Sequence, residues 1–227
     1  MNELVILGAG GSGVDIIDIV NAINQNIKKW NIIGFLDDNP NLKDKYISGY
    51  KVLGTIDEAY KYNKALFISS IANPTNRIIR RKIWDRVIKQ ECNFATLIHP
   101  SAVIYNNVLI KNGSVINALC VIGSNVVIEE DVHLAYSCNV AHETVIKAHS
   151  TLGTGVNLSS GITIGVDCYI GAGVSATHDI EVEDNTLVAV GSAITENLCN
   201  NNQRIWVGVP AISIKEFMRN KIKLRDI

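Results

Sequence analysis

From Ile98 to Ile194 the chain keeps a single period without interruption. The marked positions are Ile98, Ile104, Ile110, Ile116, Ile122, Ile128, Leu134, Val140, Ile146, Leu152, Leu158, Ile164, Ile170, Ala176, Val182, Val188 and Ile194. Sixteen of these 17 positions are Ile, Leu or Val. Those three types make up 70 of the 227 residues, so about five would fall there by chance. Two residues before each marked position there is usually a small or β-branched side chain. Examples are Ser114, Cys120, Val126, Val132, Cys138, Thr144, Ser150, Val156, Ile162, Cys168 and Val174. A period of six is neither the 3.6 of a helix nor the 2 of a simple strand. It is the hexapeptide signature of a parallel β-helix, in which three repeats, roughly 18 residues, close one triangular coil. The marked aliphatics then point inward and stack, and the small residues fit the narrow corners. The run is long enough for a little over five coils.

The composition agrees. Hydrophobic residues make up 47% of the chain, charged residues 19% and aromatics only 6%. That is too apolar for a disordered chain, and its aliphatic character suits stacked strands. With 21 basic and 22 acidic residues the net charge is −1, so no basic footprint for nucleic acid is present. The cysteines Cys92, Cys120, Cys138, Cys168 and Cys199 are odd in number and form no C-x-x-C pair. Three of them fall at small inward positions. They read as reduced, mostly buried thiols rather than disulfides or metal ligands. No apolar run approaches the ~20 residues of a membrane span. The first residues lack the basic region and cleavage site of a signal peptide, so a cytoplasmic protein is expected.

The N-terminal third follows another rule. The apolar run of residues 3–8 leads into Gly8-Ala9-Gly10-Gly11-Ser12-Gly13, and the stripe Ile16, Ile17, Val20, Ile23 then fits a helix face. A second strand reads Trp30 to Leu36 and ends at Asp37-Asp38. A third covers residues 65–71. A helix is expected after Asn73-Pro74-Thr75, running to about Gln90 with the stripe Ile78, Ile79, Ile83, Val87. Strand, Gly-rich turn, helix, strand and acid make a small Rossmann-like βαβ unit. The turn matches G-x-G-x-x-G, whose glycines let backbone approach a phosphate at a helix N-terminus. On that reading a nucleotide diphosphate sits at Gly8, Gly10, Gly11, Ser12 and Gly13, and Asp37 or Asp38 bonds its ribose or base. The competing reading is a tight turn within a small α/β domain. About 95 residues precede the repeat, too few for a full dinucleotide domain plus a catalytic domain, so a dehydrogenase fits poorly.

Taken together, Gly8–Gly13, Phe35–Asp38, His99-Pro100-Ser101, the hexapeptides and Val207-Gly208-Val209-Pro210-Ala211 resemble a bacterial family. It is the family of left-handed β-helix acyltransferases that acetylate sugars. The branch is the one with a small nucleotide-binding N-terminal domain, which holds nucleotide-linked amino-sugar N-acetyltransferases and sialic acid O-acetyltransferases. The resemblance implies an α/β domain at 1–95 for the nucleotide sugar, a left-handed parallel β-helix at 96–212 and a helical tail at 213–227. It implies a homotrimer, acetyl-CoA as co-substrate and no metal. The segment Asn139-Val140-Ala141-His142-Glu143 matches the family's catalytic base, His142, followed by its acid, Glu143. Adjacent strand residues face opposite sides, so a direct pair of His142 and Glu143 needs a corner turn.

Residues one coil apart lie about 4.8 Å above one another. That places Ser160 over His142, where relatives commonly carry a glycine whose N–H holds the oxyanion; Gly161 follows, so the role falls on one or the other. His178 lies two coils above His142. The acetyl-CoA path of the family corresponds here to Gly173, Ala189, Gly191, Gly208 and Pro210; Thr151 falls where some relatives carry a second His beside the thioester, or is an outward strand residue, and Lys215, Arg219 and Lys221 either meet the CoA phosphates or form a solvated basic helix face. Two places depart from the family: Ser12 stands where many relatives have His, and Ala135-Tyr136 where many have Asn-Thr. Both are near the sugar in that family.

The leading function is therefore an acetyl-CoA-dependent N-acetyltransferase acting on a nucleotide-linked 4-amino-4,6-dideoxy sugar. The nearest alternative is an O-acetyltransferase for sialic acid or a related sugar. A zinc hydro-lyase of the carbonic anhydrase type shares the β-helix but needs three converging histidines. A non-catalytic scaffold is the remaining reading.

Overall fold

A computed structural model describes residues 1–199 and 204–225. The N-terminal domain runs β1 (Asn2–Leu7), α1 (Gly11–Asn26), β2 (Trp30–Leu36), β3 (Tyr46–Ile47), β4 (Tyr50–Gly54), β5 (Leu66–Ser69), α2 (Ile79–Ile88) and β6 (Asn93–Phe94). Its sheet has the order β3-β4-β2-β1-β5-β6, parallel except for the β3–β4 hairpin. Leu4 to Leu7 are completely buried, as a central parallel strand covered on both faces must be. The chain leaves β1 for β2 on one side and reaches β5 on the other. The order thus switches at β1, where open α/β sheets form a crevice beyond the strand ends.

Two details differ from the pattern-based expectation. The helix after Pro74 begins at Ile79, because the Asn73 carboxamide accepts from the N–H groups of Thr75 and Asn76 and holds that stretch in a turn. It ends at Ile88 rather than Gln90. The residues between Asp38 and the third strand, to which the pattern assigned no element, are structured. They hold the β3–β4 hairpin, turned through Ser48 and Gly49 at positive φ, and a 3-10 segment, Ile56–Tyr62, with a Thr55/Glu58 capping box.

The repeat forms a left-handed parallel β-helix. Each two-residue strand from Leu97–Ile98 to Ala193–Ile194 ends on a marked position. The strands stack in three parallel faces. The first holds Leu97–Ile98, Val115–Ile116, His133–Leu134, Thr151–Leu152, Tyr169–Ile170, Leu187–Val188 and Ile205–Val207. The second starts at Val103–Ile104, and the third at Leu109–Ile110. Every pairing shifts by one coil, as His133↔Thr151 and Val140↔Leu158 show. From Ile116 upward the marked residues form one continuous core. The lowest coil is the exception to inward burial: Ile104 is 36% exposed, since nothing stacks beneath it. Cys120, Cys138 and Cys168 are buried at the inward corner positions, while Cys199 is exposed.

Each corner turns on one residue at positive φ, and these recur every six residues from Asn107 to Gly191. Most are Gly, Asn or Asp, the types that tolerate this conformation. Leu119, Ser137, Glu143 and His149 are the ones that do not belong to those types.

The N-terminal domain docks on the first face. Leu97 and Val115 are fully buried in the same cluster as Ile16 and Ile19 of α1. Helix α2 runs along the corner between the third and first faces, whose turning residues Gly113, Asp131, His149, Asp167 and Asn185 form a vertical column. Trp84 covers Gly113 so closely that a Cβ there would lie 2.3 Å from its ring. Arg80 meets Asp131, Arg81 meets Asp167 at 3.0 Å, and Arg77 donates to Asn185 at 3.1 Å. The chain closes with α3 (Ile214–Arg225) against the last strands.

Because the β-helix core is a stack of single side chains with no slack, Leu152→Ala should cost about 2–5 kcal/mol. Urea unfolding measures this. A loss below about 1 kcal/mol would contradict such tight packing.

Candidate active site

The Gly-rich turn sits between β1 and α1 at the switch point. Gly8 has φ +94°, and a Cβ on Gly13 would meet Phe35 at 2.8 Å and the Gly8 carbonyl at 3.0 Å. Gly10 and Gly11 would meet nothing within 4 Å, so they face open space. No side chain caps α1 at Gly10. The first-turn N–H groups thus open toward a cavity of about 460 Å³ lined by Gly8, Gly10, Gly11, Ser12, Asp37 and Asp38 among others. Gly13 does not line it; it lets helix pack on strand. Both acids are already engaged. Asp37 accepts from the N–H of Ala9 at 2.7 Å and of Asn39 at 2.8 Å, which fixes the turn. Asp38 accepts from Arg86 at 2.6 Å and from the Ile56 N–H. Partial burial opposes its ionisation, but Arg86 outweighs that and holds the carboxyl below its usual range.

Ser12 and Ala72 also line a second cavity of about 240 Å³, which runs between α1 and the first face of the β-helix. Ala135 and Tyr136 are part of its wall. The Tyr136 hydroxyl donates to Asp15 at 2.9 Å, and burial together with that carboxylate raises the phenol to about 12. Behind the cavity lies a buried polar group that sequence patterning missed. Arg80 is 2% exposed and reaches both carboxylate oxygens of Asp131, its backbone carbonyl, and Thr151 Oγ1 at 3.2 Å. His149 Nδ1 lies 3.0 Å from Asp131 Oδ2. Complete burial opposes ionisation of Asp131, yet Arg80 and His149 hold its carboxyl below the ordinary range. His133 beside them is pushed down to about 3, first by burial and then by the Arg80 charge. Thr151 points outward from its strand, where Arg80 of α2 covers it, and it lines the second cavity.

His142 stands on the corner between the second and third faces, 61% exposed in its side chain. Glu143 supplies the corner turn at φ +60°. This brings His142 Nδ1 to 3.7 Å from Glu143 Oε2, longer than a hydrogen bond. One coil above, the Gly161 N–H donates to the His142 carbonyl at 3.1 Å. The ladder thus takes the Gly161 amide and not that of Ser160. His178, two coils up on this corner, pairs with Asp179 at 3.0 Å. Gly173, Ala189, Gly191, Gly208 and Pro210 lie together, but on a different corner, between the first and second faces. Lys215 and Arg219 lie on α3, and the Lys221 side chain is outside the described residues. Among the described residues no three His, Cys, Asp or Glu side chains are grouped to hold a metal ion. No described helix is long and apolar enough to cross a membrane.

Comparison with known proteins follows the same division. Residues 3–87 match the PglD N-terminal domain family. The chain is 31% identical over 119 residues to a GDP-perosamine N-acetyltransferase of Escherichia coli O157:H7, a match covering 52% of each protein. The match thus spans about half the length of that curated relative. Among solved structures, the acetyltransferase domain of PglB from Neisseria gonorrhoeae FA1090 in complex with acetyl coenzyme A superposes with a TM-score of 0.83. It is 24% identical, with 94% of this chain and 100% of that one covered. PerB from Caulobacter crescentus, solved with CoA and GDP-perosamine, gives a TM-score of 0.83 at 21% identity, over 94% of this chain and 97% of that one. The chain has the fold of the hexapeptide-repeat sugar acetyltransferases.

The Arg80–Asp131 pair ties the α/β domain to the β-helix, so Asp131→Ala, which strands a buried guanidinium, should cost about 3–5 kcal/mol. The folded Asp131 carboxyl titrates below its unfolded value. Its stabilisation is therefore complete above about pH 4 and lost as pH falls through the folded value. Thermal unfolding from pH 7 down to pH 3 should show a steeper acid loss in the wild type than in Asp131→Asn.

Proposed function

We propose that this protein is an acetyl-CoA-dependent N-acetyltransferase acting on the amino group of a nucleotide-linked 4-amino-4,6-dideoxy sugar, with His142 as general base. The observation that carries the reading is the corner at His142. An exposed imidazole stands one coil below a backbone N–H, that of Ser160, which the ladder leaves unused. The relatives' descriptions as acetyltransferases with CoA and GDP-perosamine support the donor and the class of acceptor.

In the reaction the sugar amine attacks the thioester carbonyl. His142 takes the proton lost by the nitrogen, and Glu143 beside it steadies the imidazolium. The Ser160 N–H donates to the oxyanion of the tetrahedral intermediate. Collapse breaks the C–S bond, leaving the amide and a CoA thiolate that regains the proton. The nucleotide diphosphate lies over Gly8, Gly10, Gly11 and Ser12 in the larger cavity, where uncapped α1 N–H groups meet its charge. Asp37 acts by fixing the turn, and Asp38 lines the ribose side. Gly173, Ala189, Gly191, Gly208 and Pro210 give the close approach for acetyl-CoA, and Thr151 acts from beneath the cavity.

This arrangement needs a second copy of the chain. The second cavity and the glycine corner lie at the first-to-second corner, whereas His142 belongs to the second-to-third. Exposed Leu119, Val190 and Val209 on the glycine corner are apolar contacts awaiting a neighbour. A homotrimer would set each His142 against the next copy's cavity. The reaction is assigned to the cytoplasm, where acetyl-CoA is at hand.

The test combines purified protein, acetyl-CoA and UDP-, dTDP- and GDP-linked 4-amino sugars, following thiol release and product mass. N-acetylation of one series is expected. Turnover only of free sialic acid would move the protein to O-acetylation. His142→Ala should lower kcat by about 10²–10⁴ without changing the melting temperature. An active protein indifferent to that substitution removes His142 from the mechanism.

A further inference from the structure

The second cavity has a floor that nothing in the proposed chemistry uses. On the first face, outward residues form two vertical rows. One holds His133, Thr151 and Tyr169, and the next holds Asn117, Ala135 and Gly153. The small residues of the second row leave the space, and Asn117 and His133 close its lower end. Asn117 is 6% and His133 8% exposed. Asn117 Oδ1 and His133 Nε2 are fully buried and have no hydrogen-bond partner among the described residues. Orphaned buried groups of this kind are costly, about 1–3 kcal/mol each, and call for an occupant.

The charges limit that occupant. Among the described residues lining the cavity, Asp15 is the one charged group. The nearest guanidinium, Arg80, already spends its donors on Asp131 and Thr151. The buried imidazole of His133 is neutral at physiological pH. A carboxylate entering here would face Asp15 with no cation to meet it, while a hydroxyl or amide would satisfy both groups once the Asn117 and His133 side chains turn their buried atoms toward it. An amine on the same ring is welcome beside Asp15.

From this we infer that Asn117 and His133 are specificity-determining residues: they read an uncharged hydroxyl or N-acylamino substituent on an amino sugar, and the cavity rejects carboxylated sugars. The inference rests on the nucleotide-sugar reading above and narrows it. It also sets this chain against the sialic acid alternative, whose sugar carries a carboxylate.

Steady-state kinetics of the full chain test it, with acetyl-CoA and either the nucleotide-linked 4-amino-4,6-dideoxyhexoses or free N-acetylneuraminic acid. For the accepted sugar, Asn117→Leu and His133→Phe should each raise the sugar KM about tenfold, the value of one buried neutral hydrogen bond. The acetyl-CoA KM should stay put, and the melting temperature of the free protein should hold or rise, because each variant removes an orphaned buried polar atom. His133→Asn and Asn117→Ser keep a polar partner and should fall between these variants and the wild type, which also covers a variant that fails to fold. An unchanged sugar KM in folded variants overturns the inference while leaving N-acetylation intact. Efficient turnover of N-acetylneuraminic acid overturns it too. Silence across every nucleotide-linked sugar overturns the proposed function and this inference with it.

Discussion

The buried contact between Arg80 and Asp131 decides how the two halves of this molecule meet. A guanidinium and a carboxylate removed from water are costly, and such a pair holds only when its remaining donors and acceptors are satisfied. Four of the five guanidinium N–H groups are used: Arg80 reaches both carboxylate oxygens, a backbone carbonyl and Thr151, and Asp131 also meets His149. A shift of α2 by one turn would strand both charges. The geometry therefore specifies one docking of the α/β domain, and with it the position of the Gly-rich turn over the first face. The second cavity is a product of that docking, since residues of both domains line it, whereas the larger one lies within the α/β domain.

The β-helix works as a ruler for everything attached to it. One translation, repeated at each coil, stacks the aliphatic core and also aligns the corners. Residues a coil apart thus become spatial neighbours whatever their chemistry. Ser160 comes to lie over His142, and Asp131, His149, Asp167 and Asn185 form the column that receives the arginines of α2. The corner conformation adds a second meaning. Glu143 and His149 hold a positive φ that Gly, Asn or Asp would adopt with less strain. One sits beside the exposed His142 and the other in the buried group behind the cavity. Leu119 and Ser137 depart in the same way on the corner between the first and second faces.

Much of this was legible. The six-residue period predicted every strand from Leu97–Ile98 to Ala193–Ile194, because each coil repeats the same demand for one inward aliphatic; the closing strand Ile205–Val207 lies beyond it. The turn Gly8–Gly13 and the stripe of α1 were equally plain. The β3–β4 hairpin was passed over because its strands are short and half exposed, although Ser48-Gly49 is a turn signal. Arg80 was missed for a different reason. An arginine on a helix reads as solvated, and only its distant partner makes it core. The corner positions held a partial hint, since extending the period to them leaves four departures, Leu119, Ser137, Glu143 and His149, of which two belong to the sites described.

The sequence by itself determined the elements: a periodic aliphatic pattern can bury its apolar surface in only one repeating way, and a Gly-rich turn between strand and helix has one local geometry. Which residues share a site was decided by tertiary structure. Asn117, His133 and Arg80 are far apart in the chain and unremarkable in type. Their roles follow from burial, charge and hydrogen bonding that exist only after one domain has closed over the other. Sequence pattern reports local periodicity; electrostatics and desolvation depend on distances that only the folded chain defines.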